Sequence, residues 1–331
     1  EQEMFLVDRS WRPAPAAPRV ALGNHLLEHL AAEVGARPIH VAGYSTGAGL
    51  ALDLAFAALD NPDVVMPASL VLVSPAIGVS AAAALAGPAA TLGRAPGLGR
   101  LGWAQTTPEF DPYKYNSFPV NAGAQVHKLT RHVSNRVNRL VASGRAAELP
   151  PILVFKSTVD ATVTTNALVD RLLGRLPDNG NELVLYDINR TAVASPILVA
   201  DPGPFTSRLI GDDGLPFALR LIANENPAST AMVEHYKPAF AGGFTETRAL
   251  DLAWPRGVIS LSHVALPFPP DDPLYGAVRP TDPEQLYLGQ LDIRGERGLL
   301  MLSSDWLLRL RHNPFYALQE QRIVDWLAAI E

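Results

Sequence analysis

A mostly parallel β-sheet covered by helices on both faces is the α/β architecture this sequence predicts, on three observations. Short apolar runs recur along the chain, at Pro38–Tyr44, Ser69–Val73, Ile152–Phe155 and Glu182–Tyr186. Stretches with apolar residues at helical spacing separate them, as at Leu27, Leu30, Ala31 and Val34. The runs are apolar almost throughout instead of alternating with polar residues, which marks strands buried on both faces. Strands that alternate with helices in this way form α/β layers.

Each element has its own signal. Leu27 to Val34 reads as an amphipathic helix, and Gly35 stands where a helix stop belongs. Pro38–Tyr44 is a buried strand, and Gly47–Leu59 returns to a helical, Ala/Leu-rich pattern. Helices are expected over Gln125–Val141 and Thr165–Leu176, and Ile323, Trp326, Leu327 and Ile330 mark a closing one. Met4–Val7 has room for one further strand. Two stretches break the alternation. Residues 81–149 begin rich in Gly, Pro and Ala, and residues 191–255 hold turn signals such as Asp201-Pro202-Gly203-Pro204. Structureless loops of that length are uncommon in compact domains. The expectation is therefore a core of 1–80, 150–190 and 256–331, a cap inserted at 81–149, and a second insertion near the active site at 191–255.

Composition narrows the function. The chain has 331 residues, 48% of them apolar, enough for a sizeable core. A net charge of −6 without runs of like charge speaks against nucleic acid and anionic membrane surfaces as partners. The sequence has no Cys, which excludes disulfides, thiolate metal sites and a thiol nucleophile. No apolar stretch reaches the length of a membrane span, and nothing resembling a signal peptide follows Glu1. A cytoplasmic and an exported protein both fit this composition, and the oligomeric state is open.

The chemistry-bearing motif is Gly43-Tyr44-Ser45-Thr46-Gly47, a G-x-S-x-G pentapeptide between a strand-like and a helical run. In a nucleophile elbow the strand turns abruptly into a helix and lifts the Ser hydroxyl clear of the sheet. The flanking glycines are expected to serve the strained turn and the close approach of neighbouring chains. The new helix directs its N-terminal amides at the bound substrate, so the Thr46 amide is one candidate oxyanion donor. A phosphate loop would need a following Lys, and a dinucleotide loop would need G-x-G-x-x-G. Neither is present. Ser45 is thus the candidate nucleophile.

Chain order in an α/β-hydrolase runs Ser, acid, His, on loops after successive strands. Asp160 follows the strand Ile152–Phe155 and precedes a helix; Asp187, at the end of the next strand, is its rival. A helix-capping or turn Asp is the bland alternative for Asp160. His263, after the strand-like Val258–Leu261, is the candidate base. His235 and His312 sit in helix-like surroundings, and His25, His29 and His40 precede the nucleophile. The 103 residues between Asp160 and His263 far exceed what one strand and two loops require, and the surplus matches 191–255.

With these motifs in view, the chain resembles the bacterial α/β-hydrolase carboxylesterases often labelled lysophospholipase-like. The likeness rests on Gly43 to Leu50 (GYSTGAGL), on Asp111 to Gly123 (DPYKYNSFPVNAG), and on Asp160-Ala161-Thr162-Val163. It continues in Ser262 to Pro267 (SHVALP) and Arg311-His312-Asn313-Pro314-Phe315. The resemblance implies hydrolysis of carboxylic esters through an acyl-enzyme on Ser45, with a small-molecule ester as substrate and no cofactor or metal. Such hydrolases carry several strands and a His-Gly loop ahead of the elbow. Here 42 residues precede Gly43 and no His-Gly pair occurs, so the chain is expected to begin inside the fold and the second oxyanion donor is unassigned. Leu98, Leu101, Trp103, Phe110 and Phe118 either line an acyl site, with Trp103 and Phe118 as substrate contacts, or form the cap's own core. A lipase acting on longer chains and a non-catalytic binding protein on the same fold are the rival functions.

Overall fold

The structure, a computed structural model, describes residues 17–35, 37–78, 99–160, 165–191, 201–292 and 309–330. The expected strand at Met4–Val7, Leu98 and the Ala161–Val163 segment lie outside them. In chain order the elements begin with α1 (Ala17–Val34), β1 (His40–Tyr44), α2 (Thr46–Asp60) and β2 (Ser69–Val73). A small ribbon, β3 (Trp103–Gln105) with β4 (Phe118–Pro119), leads into α3 (Val120–Ala142). Then come β5 (Ile152–Ser157), α4 (Thr165–Arg171), β6 (Glu182–Tyr186) and α5 (Gly203–Gly211). The last elements are β7 (Ala218–Asn224), β8 (Ala231–Lys237), β9 (Glu246–Ala253), β10 (Leu291–Asp292), β11 (Arg309–Leu310) and α6 (Tyr316–Ile330).

Among the described residues seven strands make one sheet in the order β1-β2-β5-β6-β7-β8-β9. The pairs from β1 through β7 are parallel, while β8 and β9 add to the far edge antiparallel. Each central strand serves two cores, which explains its unbroken apolar sequence. Leu70, Leu72, Ile152, Val154, Leu183 and Leu185 face one cluster, shared with α2, α3 and α4. Val71, Val73, Leu153, Phe155, Val184 and Tyr186 face the other, closed by Phe315 and Trp326 at and within α6. The helices do cover both faces. α1 packs outside α2, with Leu27 against Leu54 and Val64, and Gly35 ends it at a φ of +66°.

Both expected insertions come out differently. Residues 81–149 are not all cap: α3 lies in the helix layer, where Val133 and Val137 are fully buried against the sheet's cluster. Only the described residues 99–119 stand apart from it. Their loop closes on itself where Asn116 and Ser117 donate backbone N–H groups to Glu109. It also docks on residues 268–275, where Tyr113 stacks on Phe268 at 5.4 Å and Tyr275 donates to Asp111.

The described residues 201–255 are regular, a correction to the expected irregular insertion. They supply α5 and three strands that widen the sheet at the edge opposite β1. Arg220, Glu234, His235 and Lys237 interrupt the apolar residues of β7 and β8, which hides these strands among turn residues although none of their positions is exposed. The stretch is still an excursion from the end of β6, because its two ends meet. The Asn189 N–H donates to Ile259 O at 2.7 Å and its side-chain amide to Val258 O at 2.8 Å. Val258–Leu261 is therefore no strand: it crosses the end of β6 held by Asn189 instead of by a ladder. His235 lies on β8, bonded to Thr247 across the β8–β9 pair at 2.8 Å, and His312 follows β11.

Candidate active site

Ser45 lies between β1 and α2 with φ 53° and ψ −114°, a left-handed backbone that costs a non-glycine residue about 1–3 kcal/mol. The end of β2 over-determines it: the Ser45 N–H donates to Val73 O at 2.9 Å, and the Ala76 N–H donates to Ser45 O at 3.0 Å. The two motif glycines do different work. A Cβ on Gly43 would sit 2.7 Å from the Ala48 Cα and N and from the Gly47 O, all backbone atoms. A Cβ on Gly47 would meet nothing within 4 Å. Close approach thus explains Gly43 and not Gly47, a correction to the expectation for the pair. Thr46 opens α2, where first-turn amides have no acceptor within the helix.

The structure brings Ser45, His263 and Asp160 into one hydrogen-bonded chain. His263 Nε2 lies 3.0 Å from Ser45 Oγ, and its Nδ1 lies 2.8 Å from Asp160 Oδ2. His263 and Asp160 are buried, while Ser45 is partly open. Asp187 is not in the chain; it pairs with Arg190 at 3.2 Å and accepts from Thr158 Oγ1 at 3.5 Å. Burial pushes the Asp187 carboxyl above the usual carboxylate range, against the pull of Arg190. Burial pushes Asp160 the same way, but the His263 hydrogen bond and the Lys156 charge outweigh it and bring Asp160 down to about 2.

Three supports went unread in the sequence. Lys156, fully buried on β5, donates to the same Asp160 Oδ2 that faces the imidazole. A lone cation inside the run Ile152-Leu153-Val154-Phe155-Lys156, four residues before the acid, was its signal. Tyr44 leans its ring on His263 with centroids 5.2 Å apart, and its hydroxyl donates to His263 O at 3.3 Å. The third support is the Arg311–Phe315 segment with α6. The Gln319 amide donates to Leu266 O at 3.2 Å and the Asn313 N–H to Phe268 O at 2.7 Å. Ser262 Oγ donates to Leu310 O at 3.3 Å, so the loop carrying His263 is tied down along its length.

A serine at a strand-to-helix elbow, an aspartate after the second parallel strand beyond it, and a histidine loop crossing the strand ends make a recognisable scaffold. The fold is that of the α/β-hydrolases. No protein-family model matches the chain, and no curated protein does. Among solved structures it is similar to a monoacylglycerol lipase of Paleococcus ferrophilus, at 18% identity over 51% of this chain and 65% of that one, TM-score 0.36. It is similar also to a monoglyceride lipase of Saccharomyces cerevisiae, at 14% identity over 51% of this chain and 59% of that one, TM-score 0.36. A membrane phospholipase A described as a bacterial virulence factor matches at 18% identity over 51% of this chain and 55% of that one, TM-score 0.27. The chain spans less than two thirds of the length of each of these proteins.

Of the residues expected to hold an acyl chain, Leu101, Trp103, Phe110 and Phe118 are each about half exposed, so they do not form a buried cap core. Trp103 and Phe118 belong to the paired strands β3 and β4. Among the described residues no group of three or more His, Asp or Glu side chains is arranged to hold a metal ion, and no helix is long and apolar enough to cross a membrane.

Proposed function

We propose that this chain is a serine carboxylesterase that cleaves short- to medium-chain carboxylic esters through an acyl-enzyme on Ser45. The observation that carries the reading is the continuous hydrogen-bonded chain from Ser45 Oγ through His263 to Asp160. Ser45 Oγ attacks the ester carbonyl carbon while His263 Nε2 takes its proton. Charge develops on the carbonyl oxygen, and the Thr46 amide at the start of α2 donates to it. The tetrahedral intermediate collapses, the alcohol leaves with the proton from His263, and the acyl group stays on Ser45. Water, deprotonated by the same nitrogen, then releases the acid. Asp160 keeps the Nδ1 proton facing it and stabilises the imidazolium at each step.

The test is labelling with a fluorophosphonate together with ester turnover in Ser45→Ala. The variant should fold, resist the label and lose activity by roughly 10⁶-fold, the scale for a triad nucleophile. Retention of a tenth of the activity would remove Ser45 from the role. A specific observation favours a second reading, a lipase on longer acyl chains: exposed apolar side chains recur along one short segment, at Leu101, Trp103, Phe110, Tyr115 and Phe118. Grouped exposure of this kind marks apolar contact surfaces. A chain-length series of p-nitrophenyl esters separates the two, since the esterase reading puts the maximum at short to medium chains. Trp103→Ala and Phe118→Ala should flatten that preference.

A further inference from the structure

Lys156 is a cation in a place where strands carry aliphatic residues. Its neighbours on the same face of β5, Ile152 and Val154, belong to the core, and Lys156 itself is fully buried. A buried ammonium costs several kcal/mol unless it is paired, so its retention calls for a reason. The partner is Asp160, whose Oδ2 receives both the Lys156 ammonium and the His263 Nδ1.

We propose that Lys156 is a positioning residue for the Ser45–His263–Asp160 chain, holding the Asp160 carboxylate in register with the His263 ring. The proposal rests on the reading of Ser45 as nucleophile. The two donors share one oxygen, so the ammonium fixes where that oxygen lies and hence which way the imidazole points. The charged groups at these strand ends include Lys156 on β5, Asp160 beyond it, and Asp187 with its partner Arg190 beyond β6. From the elbow side Ser45 and the Tyr44 ring face the imidazole.

The experiment measures the rate of fluorophosphonate labelling, and kcat and KM separately for a soluble p-nitrophenyl ester. Wild type is compared with Lys156→Met and Lys156→Gln, the second keeping a donor without the charge. The expected result for Lys156→Met is a labelling rate and kcat at least about tenfold lower, with KM within about twofold, the pattern for loss of an interaction made in the transition state. Lys156→Gln should recover part of that loss, because it keeps a donor for Asp160. Labelling and kcat at the wild-type level in folded Lys156→Met overturn the proposal, as does the failure of both variants to fold, which would make Lys156 a residue of the core alone. A wild-type chain that neither labels nor turns over ester would instead remove the reading of Ser45.

Discussion

The two glycines of the elbow should respond to alanine with opposite signs. In Gly43→Ala the new methyl would lie 2.7 Å from three backbone atoms, the Ala48 Cα and N and the Gly47 O. Ordinary contacts fall near 3.5–4.0 Å, and backbone atoms inside β1 and α2 have no rotamer by which to withdraw. Overpacking of this kind costs about 1–3 kcal/mol, and relief requires the strand and helix to move apart at Ser45. In Gly47→Ala the methyl points into open space from the first turn of α2. There the substitution should stabilise by about 0.5–1 kcal/mol through the lower entropy of the unfolded chain. A gap of about 3 kcal/mol corresponds to roughly 4 °C in melting temperature for a chain of 331 residues. Thermal unfolding by circular dichroism reads the gap, and fluorophosphonate labelling reads whether Ser45 keeps its pose. A Gly43→Ala variant that melts at or above Gly47→Ala would refute the close-approach argument for Gly43.

Asp160→Asn should abolish labelling and also cost about 3–5 kcal/mol in denaturant titration, because it strands the Lys156 ammonium in the core. Asp187→Asn, remote from the imidazole, should leave the labelling rate within about twofold, as neutral substitutions away from a site do. Asp160 has its folded value depressed from 3.8 to about 2, so its stabilisation is present above 3.8 and is lost as pH falls from there toward 2. That contribution is about 2.5 kcal/mol, to be seen as acid destabilisation that Lys156→Met reduces. Asp187, raised by burial, has the opposite sign and softens the total effect.

Local signals in the sequence located the central strands to within a residue or two, because each is apolar on both faces and so stands out without periodicity. The elbow was legible for the same reason: glycine, serine and glycine stand at a strand-to-helix junction. The three strands β7–β9 were not legible. They mix arginine, glutamate and histidine among their apolar residues, and the short turns between them look like loop chemistry. The cap was drawn too long because α3 reads as amphipathic whether it covers a site or a sheet. Only the tertiary contact of Val133 and Val137 with the sheet's cluster distinguishes the two.

The candidate site shows a sharper division. Chain order pointed to His263 as the ring that meets Ser45, although the strand used to argue for it does not exist. What places the imidazole is a set of backbone carbonyls held by amides from elsewhere: Val258 and Ile259 by Asn189, Leu266 by Gln319, Phe268 by Asn313. The chain leaves the end of β6, builds three strands at the far edge, and must still return to within hydrogen-bond reach of β1. Closing a loop that long is entropically cheap per added residue, so the excursion could grow without moving its ends. The anchoring amides absorb the insertion. The geometry at Ser45 then depends on Asn189, Asn313 and Gln319, and not on how much sheet lies between Asp160 and His263.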